Sequence, residues 1–541
     1  MNPAVGVDLG TTNTVIGIQT DDSGPDILRV SQPDLERRER EPKSWIKSAV
    51  LFESAHSTVV GAFAARHLKA FRSVKSRMGT RWRVQHHLPG AGELLVTAPY
   101  VSAHVLKLAR QAVREGFPQW DQTALITVPA SFNSAQRSDT LLAATMAGFA
   151  RVDLLDEPTA AFYFHFDGVR DTRDFDRKQT ILVFDFGGGT LDVSIIEVQK
   201  EGADMYIDTV GRSRYNNLGG DDVDYDIAAA MLACWRRENE NKIDKRLNVN
   251  DLIMLFVRQA SRYKEEVEDA LAQDRSDLPE FRVDDVVETA GSQPVRVEFQ
   301  RTLRRDQYEE ISGRYFQEKS GLNIYRPLGE ALAVAQRIRP GFSARDLDLV
   351  LYTGGASQMA SARSALESYF APTPCLPISQ DEQCHTVALG AAACRYDDVH
   401  RRQSVRMVKR LLETIFTRAG QSPHYVPLVP LDSEPAADFQ DSGQQFRTPR
   451  RLIRIVHPLF RGVSETDQQL SPIGDLRCDL DDVVERETPY RIAYRVTPDM
   501  TLEFRIILEG GGPLPFNASI ELGTAGTGPD ALRPLCAVNA R

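Results

Sequence analysis

Two short stretches of one design organise the chain: Val5-Gly6-Val7-Asp8-Leu9-Gly10-Thr11-Thr12-Asn13-Thr14 and Leu182-Val183-Phe184-Asp185-Phe186-Gly187-Gly188-Gly189-Thr190-Leu191-Asp192. In each, an apolar alternation ends in an aspartate and a Gly/Thr turn follows. A second alternating run then leaves the turn, Val15 to Ile18 in one and Val193 to Val198 in the other. Strand, turn, strand is therefore written twice. The glycines let backbone N–H groups approach a bulky anion, and the threonine hydroxyls add donors. An acid beside such a turn makes sense when a cation also sits there, since a bare carboxylate would repel polyphosphate. Two facing hairpins would thus clamp a metal-bound nucleotide.

Outward from the hairpins, the totals bound the class. At 541 residues the chain exceeds what one core usually holds, so several lobes or domains are expected. Hydrophobic residues at 42% and charged residues at 26% are ordinary for a globular protein, and a net charge of -10 argues against nucleic acid as a partner. No apolar run reaches the roughly eighteen residues of a membrane span, and Met1-Asn2-Pro3-Ala4 opens no secretory signal. The six cysteines, Cys234, Cys375, Cys384, Cys394, Cys478 and Cys536, form no CxxC pair, and dispersed thiols read as reduced and cytoplasmic.

Between the hairpins, Asp34 to Lys43 reads as a solvated loop, Trp45 to Phe52 as a strand, and Phe63 to Met78 as a helix carrying Lys69 and Lys75. Val101 to Val113 has helical spacing, Thr123 to Pro129 is a buried strand, and Ala135 to Phe149 is a helix. Glu157 precedes Pro158 where a helix begins. Past the second hairpin, Asn217-Leu218-Gly219-Gly220-Asp221-Asp222 opens a helix, residues 250 to 271 and 306 to 337 are helical, and Arg296 to Phe299 is a strand. Asp348 to Thr353 runs into Gly354-Gly355-Ala356-Ser357, a third glycine loop, and Val387 to Ala393 is a helix of small residues.

Near residue 396 the character changes. Arg401 to Phe416 reads as a basic amphipathic helix, with Val405, Val408, Leu411, Leu412, Ile415 and Phe416 on one face. Residues 421 to 450 read as a linker or long loop. Leu452 to Val456, Tyr490 to Val496 and Leu502 to Leu508 then make an antiparallel β module, and the tail beyond Gly510 has no helical period.

Two phosphate hairpins and a third glycine loop on an α/β background resemble the actin, sugar-kinase and heat-shock ATPase superfamily. Within it, the first hairpin resembles the seventy-kilodalton heat-shock protein family, the DnaK-type chaperones. So do Ile126-Thr127-Val128-Pro129-Ala130-Ser131-Phe132-Asn133 with Ala135-Gln136-Arg137, Asp156-Glu157-Pro158-Thr159-Ala160-Ala161, the second hairpin, and Leu218 to Asp222. The likeness covers about residues 4 to 394, with a weaker one over the β module from about 420 to 510.

The resemblance implies a two-lobed, actin-like α/β ATPase domain of duplicated β-hairpin and helix units over 1–395. A basic helical linker over 396–420 and a smaller antiparallel β domain over 421–541, without a helical lid, would follow. It implies ATP or ADP with Mg²⁺ as cofactors. Asp8 and Asp185 would hold the metal through its waters. Gly10, Thr11, Thr12, Asn13, Gly187, Gly188, Gly189 and Thr190 would hold the phosphates. Lys75 would place charge near the γ-phosphate, and Glu157 would help position the attacking water, since phosphoryl transfer needs neutralised charge and placement. Gly219, Gly220, Asp221, Lys264, Gly354, Gly355 and Ala356 would complete the nucleotide site, and Pro129 with Arg137 resembles the relay to the second domain.

Departures from the family pattern fall on the base and on the signal. Ser261, Glu265 and Glu268 replace the usual residues of the adenine helix, Gln358 stands for an arginine after the third glycine loop, and Cys384 stands for an acid. The family's acidic-apolar linker is replaced by the stretch 401 to 416. The expected function is ATP-dependent and chaperone-like. Mg-ATP binding and slow hydrolysis would be coupled to binding of an unfolded or extended peptide, or of a dedicated protein partner, with J-domain and nucleotide-exchange helpers. A nucleotide-gated scaffold and a small-molecule kinase of the same superfamily are the alternatives.

Overall fold

The computed structural model describes residues 2–32, 41–54, 57–67, 69–80, 82–88, 92–169, 175–202, 204–214, 218–239, 247–287, 294–318, 321–377, 385–400, 405–408, 414–418, 425–431, 433–449, 452–462, 470–497, 500, 502–508 and 520–521. Cys384, Asn217 and most of the tail after residue 508 lie outside them.

Each glycine hairpin is the centre of its own sheet. Ala4–Leu9 pairs antiparallel with Asn13–Gln19, and Gln179–Phe186 pairs antiparallel with Leu191–Glu201. On the other side of each first strand the pairing is parallel, to Thr123–Val128 in one sheet and Leu349–Thr353 in the other. Both sheets then add one further parallel strand, Arg151–Asp156 and Cys375–Pro377 respectively. Parallel strands need covering helices on both faces and so read as near-continuous apolar runs. Leu349–Thr353 is buried along its whole length, and Gln179–Phe186 at all but Asp185. The helices repeat as well. Ala98–Gly116, Ser134–Ala147 and Glu157–Val169 precede, separate and follow the added parallel strands of the first sheet in the chain order in which Tyr325–Ile338, Ala360–Phe370 and Thr386–His400 precede, separate and follow those of the second. This is the duplicated actin-like plan.

The last helix of each set lies between the two sheets. Thr386–His400 packs on Ala4–Leu9, Asn13–Gln19 and the helix Glu157–Val169. Ala160, Phe162, Ile181, Val183, Leu349 and Ala391 share the core formed there. The approach is too close for ordinary side chains. A Cβ on Gly6 would stand 2.5 Å from the Ala392 nitrogen, one on Gly17 would overlap the Ala388 carbonyl, and one on Gly390 would overlap the Ala160 carbonyl.

The expected helix over Phe63 to Met78 is broken. Ala62–Arg66 is helical, Phe71–Arg72 is a short strand, and Val74–Arg77 is a single 3₁₀ turn entered through Ser73 in the left-handed region at φ 52°. That turn carries Lys75, and the Asp139 carboxylate anchors its far end by accepting the Gly79 N–H at 2.7 Å. Burial pushes the Asp139 carboxyl up to about 6.

The basic helix expected over 401 to 416 is also corrected. Val405–Val408 is a strand parallel to Met205–Asp208, extending the second sheet, and Thr414–Arg418 is a strand of the β module. Val405, Val408, Thr414, Ile415 and Thr417 are β-branched and suit a pleated surface, and the edge of Asp204–Arg212 offers backbone groups that such a strand satisfies. Nor is 421 to 450 only a loop, since Tyr425–Val429 and Gln440–Arg447 are strands. The β module consists of a sheet ordered 425–429, 414–418, 452–462, 471–484, 520–521 and a sheet ordered 440–447, 489–496, 502–508. One core joins them, with Leu428, Leu459 and Leu476 from the first and Ile492, Phe504 and Ile506 from the second. His457 and the Tyr490 hydroxyl meet at 2.8 Å between the sheets.

Two substitutions test this packing. Gly390→Ala adds a better helix former yet is expected to destabilise by about 2 kcal/mol, because overpacking against backbone outweighs a propensity gain of about 1 kcal/mol. An unchanged thermal midpoint would refute the contact. Asp139 has a folded pKa raised above its unfolded value, so its contribution is present at low pH and is lost as pH rises through about 6. Asp139→Asn should therefore match the parent near pH 3.5 and exceed it by about 2–3 kcal/mol at pH 8, most of the difference appearing by pH 6, read from thermal melts across that range.

Candidate functional site

The two hairpin turns face each other. A Cβ on Gly188 would collide with the Thr12 hydroxyl, and one on Gly189 would lie 2.8 Å from the Thr11 methyl. Each turn is tied off locally. The Gly187 N–H donates to the Thr190 carbonyl at 3.0 Å, and the Ser48 hydroxyl donates to the Gly10 carbonyl at 2.7 Å. Thr12 Oγ1 and Asn13 Oδ1 are buried with no hydrogen-bond partner among the described residues. Such groups normally have one, so their position between two glycine turns marks a place shaped for a polar ligand.

Behind the turns lies a compact charged set. Lys75 Nζ and Glu157 Oε1 are 2.6 Å apart, and both residues are 6% exposed. Asp8 is the penultimate residue of the first strand and accepts from the Thr127 hydroxyl at 3.3 Å. Burial, then the Glu157 charge, pushes Asp8 up to about 7. Burial, Glu157, Asp8 and Asp192 push Asp185 well above the usual carboxylate range. Asp192, anchored by the Ala130 N–H at 2.7 Å, is raised to about 6, chiefly by burial. Burial works to lower Lys75, but Glu157, Asp8 and Asp185 outweigh it and hold the ammonium above its ordinary value. Three carboxylates, Glu157, Asp8 and Asp185, thus share one ammonium, with Asp192 beside Asp185. Among the described residues no three of them converge as direct metal ligands, and the excess of acid suits a cation held through its waters.

The remaining glycine loops close the same region. The Gly220 N–H donates to the Gly187 carbonyl at 3.0 Å and the Asp221 N–H to the Gly188 carbonyl at 2.6 Å, joining the start of helix Gly220–Glu238 to the second turn. A Cβ on Gly354, at φ +87°, would stand 2.6 Å from Asp185 Oδ1, so the third loop reaches the acid only as glycine. A Cβ on Gly220 would lie 3.4 Å from that of Ala356, whereas Gly355 faces open space. Lys264 is committed elsewhere: its ammonium meets Asp224 Oδ1 at 2.7 Å and the Gly220 carbonyl at 2.9 Å. Glu268, one of the departures on the same helix, accepts from the Tyr308 hydroxyl and the Ala360 N–H, both at 2.8 Å.

Most of the residues singled out in the sequence lie near one another around the two turns, with Lys264 turned into an internal pair and Gly355 facing open space. Thr127, Ser48, Asp192 and Asp224 were missed as participants. Asp192 closes the second hairpin motif, where its position was visible. The other three are revealed only by contacts distant in sequence: Thr127 with Asp8 across the sheet, Ser48 with the Gly10 carbonyl, and Asp224 with Lys264 between helices. Arg137 donates to Asp156 at 2.6 Å, next to Glu157.

The family model described as Hsp70 protein matches residues 4–396. The chain is 30% identical over 393 residues to the chaperone protein DnaK of Mycoplasmopsis agalactiae, covering 72% of this chain and 57% of the relative. It is 29% identical over 398 residues to that of Thermosipho melanesiensis and 30% over 396 residues to that of Thermosipho africanus, covering 72% of this chain and 58% of the relative in both cases. The chain thus spans rather more than half the length of the curated relatives it matches. With the duplicated sheets and facing glycine turns, that match places this chain in the Hsp70 family.

Proposed function

We propose that the chain is an Mg-ATP-binding ATPase of chaperone type, slow in turnover, whose nucleotide state is passed to its C-terminal β module. The observation that carries the reading is the buried, unpartnered Thr12 hydroxyl facing Gly188, beside a charged set with more carboxylate than ammonium. Thr11, Thr12, Asn13 and Gly10 would hold phosphate oxygens from one side, and Gly187, Gly188, Gly189 and Thr190 from the other. Asp8 and Asp185 would hold Mg²⁺ through its waters, and the ion, when bound, supplies charge neutralisation to the phosphates.

The chain's own part is placement. Lys75 stays protonated in this field, so a fixed positive charge faces the polyphosphate end of the site. Glu157 holds that ammonium in place through the 2.6 Å contact and is an acceptor for an attacking water. The unit over 1–395 would do this chemistry. Val405–Val408 would carry its state outward, since it lies on the sheet of the second hairpin and leads directly into the β module. The β module, through its strand edges, would take an extended peptide or a dedicated partner. Titration of Mg-ATP into the full chain by calorimetry tests the reading at its root, and absence of binding would end it.

Lys75→Ala should lower ATP hydrolysis by about 100-fold or more while leaving ATP bound, because a fixed charge is lost where charge develops. A steady-state rate near the parent's would remove Lys75 from the chemistry. Met407→Pro deletes a strand N–H and should leave basal hydrolysis intact while abolishing its stimulation by an extended peptide. Unaltered stimulation would show that the strand carries no signal.

A further inference from the structure

The glycine turns account for one end of a nucleotide, and the other end has to be held by what stands beside them. From the second half of the chain the nearest groups are already engaged. The Lys264 ammonium is held by Asp224 and the Gly220 carbonyl. The Glu268 carboxylate is held by Tyr308 and the Ala360 N–H, and Tyr308 itself is fully buried. Gly355 and Ala356 bring neither ring nor charge.

The first half of the chain brings both. The short strand Ile46–Lys47 pairs with Asn13 and Thr14, so it runs alongside the first turn, and Ser48 continues it onto the Gly10 carbonyl. Immediately before it stands Trp45, half-buried, with Lys47 Nζ 5.1 Å from the centroid of its ring. Lys47 looks across to the other half. Burial lowers its basicity, and the charges that oppose this are Glu265, Asp221 and Asp224. Asp221 in turn reaches the second turn, its Oδ1 3.3 Å from the place of a Gly188 Cβ. Lys47 therefore stands beside the first turn, facing the charges of Asp221 and Glu265, and the Trp45 ring lies against Lys47.

From this arrangement we infer that Trp45 is the base-stacking residue of the nucleotide site, presented from the first hairpin's side and steadied by Lys47 against Asp221 and Glu265. The inference rests on the nucleotide reading above and adds which residue grips the base. An aromatic face stacks on any base, so the site discriminates weakly between adenine and guanine. Affinity gained this way depends on the ring and leaves the phosphates untouched.

The test is calorimetric titration of the full chain, Trp45→Ala and Trp45→Phe with Mg-ATP, Mg-GTP and Mg-tripolyphosphate. Trp45→Ala is expected to weaken ATP and GTP by about tenfold and leave tripolyphosphate unchanged, with Trp45→Phe within about threefold of the parent. An ATP affinity in Trp45→Ala equal to the parent's would overturn the inference, as would an equal loss for tripolyphosphate. A parent that binds tripolyphosphate as tightly as ATP would overturn it too, while leaving the polyphosphate clamp standing. A parent that binds none of the three would overturn the clamp and the inference together.

Discussion

The ion pair between Lys75 and Glu157 is the constraint on which the site turns. A buried ammonium is tolerated only beside carboxylates, and carboxylates crowded together are tolerated only beside a cation. Here one ammonium serves Glu157, Asp8 and Asp185, with Asp192 close behind. The set is electrostatically incomplete on its own. Asp8 and Asp185 express that by holding their protons far more tightly than exposed aspartates do. The proposed Mg-nucleotide would balance this excess of acid, so the packing of the site and the proposed chemistry share one cause.

The pair is held by two separate elements of the first half of the fold. Lys75 comes from a 3₁₀ turn pinned through Gly79 to Asp139, and Glu157 from the start of the helix that leaves the first sheet. That helix packs on Thr386–His400 with Gly390 against the Ala160 carbonyl, and Thr386–His400 packs on the first hairpin through Gly6 and Gly17. Small residues at these crossings let backbone lie on backbone. The two central helices and the strands of the first hairpin are thus locked together without room for a side chain between them.

The hairpins were legible because a Gly/Thr turn between two apolar alternations has few other meanings, and the parallel strands were legible as unbroken apolar runs. Lys75 was not legible from its surroundings, since a lysine in a short apolar stretch looks like any surface lysine. Its partner lies far along the chain, and only the resemblance to a family picked it out. Trp45 and Lys47 escaped notice for the same reason: their neighbours Asp221 and Glu265 belong to helices of the other half. Residues 401 to 416 misled because Val405, Val408, Ile415 and Phe416 fit a helical stripe, while a tertiary factor, the open edge of Asp204–Arg212, decided for strand.

That edge strand also bears on how the second sheet and the β module are joined along the chain. Four residues separate His400, the end of the inter-sheet helix, from Val405, and four residues reach no further than about 14 Å. Val405–Val408 is thus tethered at high local concentration to the edge it occupies. Its pairing there needs little intrinsic affinity. The place of Val405–Val408 is thus set by backbone pairing on one side and by chain length on the other.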